Sequence, residues 1–270
     1  MISAHDFLAD QQARRQALEE YRKSGYVILA DMFGDSEIIR MRQTWAAVEE
    51  RRRKAGKKPR ATLLMTHITD PGVADIVRHR ALVDCVEGFL GGRIELIQSQ
   101  LMYGVPGAKG FSPHQDNFYN RADPKDGIMA AWIALEDTDE ENGCLAAFPG
   151  SHLKGLAETR RDWIYLLSRS PDVVKSLVRL TSSKLVGEEN DSGVIERFVY
   201  AQAPKEAKAV ALTMKSGSVL FMHGDTIHFS YPNRTTERLR RSLLTNYVRV
   251  GTTYAAGRLT GRVPFDIYTN

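Results

Sequence analysis

The segment Ser112-Pro113-His114-Gln115-Asp116-Asn117 carries the residue types best suited to chemistry. In a β-strand, the element expected here, residues two apart point to one face. His114 and Asp116 can therefore aim at a common point while Gln115 faces away. An imidazole and a carboxylate converging on one side suit a divalent metal ion. A second histidine would complete a two-histidine, one-carboxylate set, which holds Fe(II) and leaves adjacent coordination positions open. Two histidines lie downstream. His223 ends the apolar run Ser218-Val219-Leu220-Phe221-Met222, and His228 stands in Ile227-His228-Phe229-Ser230-Tyr231-Pro232-Asn233. Spacing alone does not choose between them.

Three protein ligands suit a particular reaction class. Fe(II) prefers six ligands, so a triad on one face leaves three positions. A 2-oxo acid can fill two of them through its ketone and carboxylate, which leaves one for dioxygen. The far carboxylate of a dicarboxylic oxo acid then needs a fixed cation. Arginine supplies one, with a planar fork that makes two parallel hydrogen bonds to a carboxylate. Arg240 and Arg241 open a strand candidate, Arg240 twelve residues after His228. In a strand, Arg240 and Ser242 share a face and Arg241 takes the other. Taken without the rest of the site, the basic trio Arg238, Arg240 and Arg241 reads as an ordinary solvated turn.

The elements that must position these residues are mostly strands. Ile94 to Tyr103 is a strand candidate, and Ile128 to Leu135 is apolar enough for a central strand. Asn142-Gly143 is a strong turn signal before Cys144 to Phe148, and Pro149-Gly150 follows. Ala209–Met214, Ser218–Met222 and Ser242–Val250 complete a series of short strands, which argues for a β-sandwich or barrel. The first third reads as helical. Helices are expected over Asp6–Lys23, from a cap at Asp35 or Ser36 to about Lys54, and between Val73 and Leu90, with Tyr26–Ala30 as a short strand among them. Gly155 to about Tyr200 breaks the strand rhythm with helically spaced apolar residues such as Trp163, Leu166 and Leu177. It reads as an insertion, and such insertions often serve as active-site lids.

Composition narrows the class further. A chain of 270 residues with 43% hydrophobic and 26% charged residues suits one elaborated globular domain, 1–270. The formal charge of +4 is concentrated in short runs such as Arg51-Arg52-Arg53-Lys54, without the aromatic interleaving of a nucleic-acid face. Two cysteines, Cys85 and Cys144, indicate reduced thiols and no disulfide framework. No stretch resembles a signal peptide, and no apolar run approaches the ~20 residues of a membrane span. A cytoplasmic protein with a small-molecule substrate, without membrane or nucleic-acid partners, is the expectation.

Three blocks together resemble the phytanoyl-CoA dioxygenase family of Fe(II)/2-oxoglutarate oxygenases. The first is His114-Gln115-Asp116. The second is Trp132 with Ala134-Leu135, then Glu141-Asn142-Gly143-Cys144-Leu145 and Pro149-Gly150-Ser151-His152. The third is His228-Phe229-Ser230, Asn233 and Arg240-Arg241. Order and separation agree over roughly Gln98 to Val248. The resemblance implies a mainly β fold with flanking helices, a double-stranded β-helix (jelly-roll) barrel. It implies His114, Asp116 and His228 as the iron ligands, in preference to His223. Arg240 would bind the distal carboxylate of 2-oxoglutarate with help from Ser230, with Arg241 the weaker alternative. Trp132 and Gln100 would line the cosubstrate pocket, and His152 would be structural. The implied reaction couples oxidative decarboxylation of 2-oxoglutarate by O2, giving succinate and CO2, to oxidation of a substrate carbon. Related halogenases have a small residue in place of the carboxylate, so Asp116 points to hydroxylation or another oxidation such as desaturation. Substrate identity is not legible. A metal-retaining binding module and a zinc-dependent hydrolase or lyase are the alternatives, and the zinc reading leaves Arg240 and Ser230 without a purpose.

Overall fold

The computed structural model describes residues 2–57, 60–161, 199–203, 206–257 and 260–269. A short strand β1 (Ile2–Ser3) leads into helices α1 (Ala4–Ala9) and α2 (Gln11–Ser24). The single helix expected over Asp6–Lys23 is thus divided at Asp10. Asp10 has extended backbone, and its carboxylate accepts from the N–H of Gln12 at 2.6 Å and of Ala13 at 3.2 Å, capping α2. Gly25 ends α2 at φ 84°, a left-handed conformation that strains any residue with a Cβ. Then come β2 (Tyr26–Ala30), α3 (Asp35–Lys54), β3 (Thr62–Leu64), α4 (Thr66–Thr69), α5 (Pro71–Val77) and α6 (Arg80–Leu90). Gly34, rather than Asp35 or Ser36, caps α3, and Glu37 returns to accept from the Gly34 N–H at 2.9 Å. The basic run 51–54 forms the last turn of α3, where cations complement the carbonyl end of the helix dipole.

The remaining elements are β4 (Ile94–Gly104), α7 (Asp116–Asn120), β5 (Ile128–Ala134), β6 (Leu145–Ala147), β7 (Thr159–Arg161), β8 (Val199–Ala201), β9 (Val210–Leu212), β10 (Val219–His223), β11 (His228–Ser230) and β12 (Arg240–Arg249). Seven strands form a large sheet in the order β1-β2-β10-β5-β12-β4-β3, and three form a small sheet in the order β11-β6-β9. Neighbours in the large sheet lie far apart in sequence and are antiparallel except for β1 and β2. This is a jelly-roll architecture with helices packed outside it. The pair β7–β8 joins the two ends of the expected insertion. Residues 162–198, and with them the expected lid, lie outside the described residues.

The period of two along the strands decides which side chains meet which layer. Ala130, Trp132 and Ala134 of β5, Leu220 and Met222 of β10 and Leu244 of β12 face the small sheet, where they pack with Leu145, Ala147 and Leu212. Their neighbours Met129, Ala131, Ile133, Val219, Phe221, Leu243 and Tyr247 turn to the helices and pack with side chains such as Phe7, Trp45, Leu82 and Val86. β5 is buried on both faces, as its uninterrupted apolar run requires. Each large apolar side chain sealed in this way contributes about 1.5–3 kcal/mol. The two layers form a rigid frame, and the inner face of the large sheet becomes a wall of the space between the sheets.

Candidate metal centre

The segment around His114 is not the strand that the His-x-Asp spacing suggests. His114 forms an isolated bridge with His228, in which each backbone N–H donates to the other's carbonyl at 2.9 Å. Gln115 is extended (φ −126°, ψ 129°), and Asp116 then opens α7. The Asn117 N–H donates to the Gly224 carbonyl at 2.9 Å and ties the start of α7 to the end of β10. A bridge and a helix start therefore produce the convergence that two strand positions were expected to produce.

The result is a compact set of donors. His114 Nε2 lies 3.8 Å and His228 Nε2 3.9 Å from Asp116 Oδ1. One ligand atom from each residue falls within 4.8 Å of the others, and no other such trio occurs among the described residues. The imidazole tautomers follow from the remaining contacts. His114 Nδ1 is 2.8 Å from the Ser112 carbonyl, and His228 Nδ1 is 3.0 Å from the Thr226 carbonyl. A carbonyl only accepts, so both Nδ1 atoms carry a proton, and Nε2 is the atom that each ring would offer to a metal at the shared point. Asp116 Oδ2 is buried without a hydrogen-bond partner among the described residues. A desolvated carboxylate oxygen of this kind is costly unless a cation meets it. Two neutral nitrogens and one carboxylate on a common face fit a divalent first-row metal.

The rival candidate His223, and His152, expected to be structural, are engaged elsewhere. His223 Nδ1 accepts from the Asp225 N–H at 3.0 Å, so Nε2 holds the proton and donates to Asp126 Oδ1 at 3.1 Å. His152 Nε2 donates to the Arg22 carbonyl at 3.1 Å, and its ring packs 5.1 Å from that of His223. Neither joins the trio.

Arg240 opens β12 opposite Gly104 of β4 and is 5% exposed. A Cβ at Gly104 would stand 2.9 Å from Arg240 Nε, so the missing side chain makes room for the guanidinium. The guanidinium carbon lies 5.9 Å from the Trp132 ring centre, a cation–π distance. Burial pushes Arg240 down to about 10, with Cys144 and Glu136 opposing that trend, and the side chain stays cationic at neutral pH. Trp132 shares its sheet row with Leu244 and the half-buried Gln100. Ser230 closes β11, is buried, and its Oγ accepts from the Phe111 N–H at 2.9 Å. Arg241 faces the other way and binds Glu136, its Nε donating to Oε1 and its backbone N–H to Oε2, each at 2.7 Å.

Beyond Ser242 and Gln100, the polar residues Gln98, Asn246 and Arg262 of the inner wall went unread in the sequence. Ser242 and Asn246 lie on the same side of β12 as Arg240, and Gln98 pairs with Asn246 in the neighbouring strand. Arg262 reaches this wall from beyond β12, donating from Nε to Gln98 Oε1 at 2.6 Å. The available signal was polar residues at alternate positions within otherwise apolar strands, at 98 and 100 and at 240, 242 and 246. Buried atoms without a hydrogen-bond partner among the described residues line this wall: Arg240 Nε and Nη1, Ser242 Oγ, Asn246 Oδ1 and Trp132 Nε1.

Comparison with known proteins agrees with this arrangement. The sequence model of the family described as Phytanoyl-CoA dioxygenase (PhyH) matches residues 21–242. A phytanoyl-CoA dioxygenase of Arabidopsis thaliana is 33% identical over 144 residues, 53% of this chain and 40% of that protein. The match thus spans less than half the length of that relative. A probable alpha-ketoglutarate-dependent hypophosphite dioxygenase of Stutzerimonas stutzeri is 26% identical over 84% of this chain and 76% of its own. Among solved structures, the non-heme alpha ketoglutarate dependent carbocyclase SnoK from nogalamycin biosynthesis superposes with a TM-score of 0.66 at 20% identity, over 95% of this chain and 93% of its own. EctD from S. alaskensis, solved with 2-oxoglutarate and 5-hydroxyectoine, gives 0.60 at 19% identity, over 87% and 76%. These structural likenesses speak for the fold, and no helix among the described residues is long and apolar enough to cross a membrane. The family match over most of the chain is the stronger finding, and it places this protein in the phytanoyl-CoA dioxygenase family.

Proposed function

We propose that this protein is an Fe(II)- and 2-oxoglutarate-dependent dioxygenase that oxidises an unactivated C–H bond of a small molecule, with hydroxylation as the outcome. The observation that carries the reading is the pairing of the His114, Asp116 and His228 donors with a buried arginine on the same inter-sheet space. Zinc hydrolysis uses no second acid and gives such an arginine no task. The substrates named for the relatives range from an acyl-CoA, phytanoyl-CoA, to small polar molecules such as hypophosphite and ectoine.

His114 and His228, their Nδ1 protons committed to backbone carbonyls, hold Nε2 toward the metal, and Asp116 supplies the one negative charge. A bound Fe(II) would couple decarboxylation of 2-oxoglutarate by O2 to oxidation of the substrate carbon. Arg240 would take the distal carboxylate through its planar fork, with Trp132 against the guanidinium and the Ser230 hydroxyl as a second donor. Gln100 would border the cosubstrate. The apolar inter-sheet side chains, Met102 and Leu244 among them, would exclude water and fix the approach of one C–H bond.

Anaerobic titration with Fe(II) and 2-oxoglutarate, read through the metal-to-ligand absorption band, tests the site. Succinate release across a library of small metabolites then tests the reaction and finds the substrate. Absence of the band at millimolar 2-oxoglutarate would overturn the reading.

A further inference from the structure

The middle residue of the metal motif has a side chain whose every amide hydrogen is used, as is its oxygen. Gln115 is 2% exposed. Its Nε2 donates to the Asp225 carbonyl at 2.6 Å and to the Gly155 carbonyl at 2.9 Å, while its Oε1 accepts from the Ala157 N–H at 2.8 Å. Both amide protons and the amide oxygen are thus spent on backbone atoms of two other segments. One is the loop 224–227 that delivers His228. The other is the chain 155–157 that leads into β7. Pro113, on the far side of His114, accepts at its carbonyl from the N–H of Ala201 in β8 at 2.7 Å. The motif is therefore gripped on both flanks of His114 by the two ends of the insertion, and through Gln115 by the approach to His228. Asp225 makes a second tie, its Oδ1 accepting from Asn117 Nδ2 at 2.9 Å within α7.

Resting on the metal assignment above, we propose that Gln115 is a positioning residue for the metal centre. It sets the separation between the His114–Asp116 pair and His228 by tying their two segments together, and it anchors the chain at 155–157 to the same point. The physical reason lies in where the ligands come from. His114 and Asp116 belong to one short segment, and His228 comes from more than a hundred residues away. An isolated bridge joins His114 to His228, flanked by backbone bonds from the Ser230 N–H to the Phe111 carbonyl at 3.2 Å and from the Asn117 N–H to the Gly224 carbonyl at 2.9 Å, with no continuous strand pairing to hold the register. A buried primary amide offers two donors and one acceptor in a rigid plane, which matches the two carbonyls and one N–H presented to it. Outer residues that hold metal ligands typically matter by ten- to hundredfold in metal affinity.

The test compares wild type with Gln115→Leu, which keeps bulk and removes all three hydrogen bonds, and Gln115→Glu, which keeps size and the acceptor but sets oxygen against the two carbonyls. Fe(II) affinity is measured anaerobically, followed by the position of the absorption band formed with 2-oxoglutarate and by the rise in melting temperature on adding Fe(II). Both variants should bind Fe(II) about ten- to hundredfold more weakly, with a displaced band and a smaller metal-induced rise, while circular dichroism stays that of wild type. A lower metal-free melting temperature with unchanged Fe(II) affinity and band would overturn the proposal, because Gln115 would then serve folding alone. Failure of both variants to fold would do the same. Wild type that binds no Fe(II) would refute the metal assignment itself, and so is distinguishable from either result.

Discussion

Along β12, the side turned to the helices and the side turned to the small sheet treat polar groups in opposite ways. On the helix side, Arg241 is paired with Glu136, the Thr245 hydroxyl donates to the Ala131 carbonyl at 3.0 Å, and the Tyr247 hydroxyl donates to the Val77 carbonyl at 2.8 Å. On the inner side, Arg240, Ser242 and Asn246 each keep at least one buried atom without a hydrogen-bond partner among the described residues. The helix side is finished by folding. The inner side gives up roughly 1–3 kcal/mol for each buried polar group left unmet. A dicarboxylate between the sheets would recover part of that cost, so under the proposed function the inner side would serve ligand and the helix side stability.

The widest break in that contrast should come at the metal. Replacing His114, Asp116 or His228 with Ala is expected to reduce succinate formation to background and to remove Fe(II) binding, with the fold retained. His223→Ala and His152→Ala should keep Fe(II) binding. Iron lost from His223→Ala and retained by His228→Ala would reverse the ligand assignment.

Adjacent arginines give the next sharpest comparison. Truncating one member of a buried charge pair costs about 2–5 kcal/mol, or roughly thirtyfold to several thousandfold in affinity. Arg240→Ala should weaken 2-oxoglutarate binding by that range and leave Fe(II) affinity unchanged. Arg240→Lys should fall between, restoring charge without the fork. Arg241→Ala should leave 2-oxoglutarate binding intact and lower unfolding stability by about 1–3 kcal/mol, because Glu136 loses its half-buried partner. If Arg241→Ala instead weakens cosubstrate binding and Arg240→Ala spares it, the two sides of β12 have been assigned the wrong way round.

The pH dependence separates binding from stability at Arg240. Burial lowers this side chain to about 10, so 2-oxoglutarate affinity should be free of its titration between pH 6 and 9 and weaken above about 10. Stability runs the other way. The unfolded chain holds that proton up to higher pH than the folded one, so the Arg240 contribution to ligand-free stability rises as pH passes 10. Isothermal titration of 2-oxoglutarate against pH checks the first part, and an Arg240-dependent step near pH 7 would contradict it. The smallest effect is expected from Tyr247→Phe, about 1 kcal/mol of stability from the lost bond to Val77 and no change in 2-oxoglutarate affinity, by chemical denaturation and titration.

Much of the site was legible because it depends on residue type and local period. The strand at Arg240 could be read from its apolar and β-branched content, and the period of two placed Arg240 and Arg241 on opposite faces. The apolar run at Ile128 gave the central strand β5. The local element at Asp116 was misread, since two residues of extended backbone before a helix look like a strand until the helix is seen. The break at Asp10 was missed for a related reason: an aspartate inside a run of helix formers caps a new helix only if the chain turns there.

The sequence by itself determined the donor types, the strand-rich body with its helical first third, and the face on which each β12 residue lies, because these follow from side-chain chemistry and a two-residue repeat. Spacing left His223 and His228 open and the family resemblance favoured His228, but only the tertiary structure shows His228 meeting Asp116, where Gln115 spends its three hydrogen bonds, and that Arg262 reaches Gln98. Those outcomes depend on contacts between segments tens to more than a hundred residues apart. No local pattern encodes them. Residue spacing treats His223 and His228 alike, and in the fold the bridge to His114 marks the one that faces the donors, while the other is bound to Asp126.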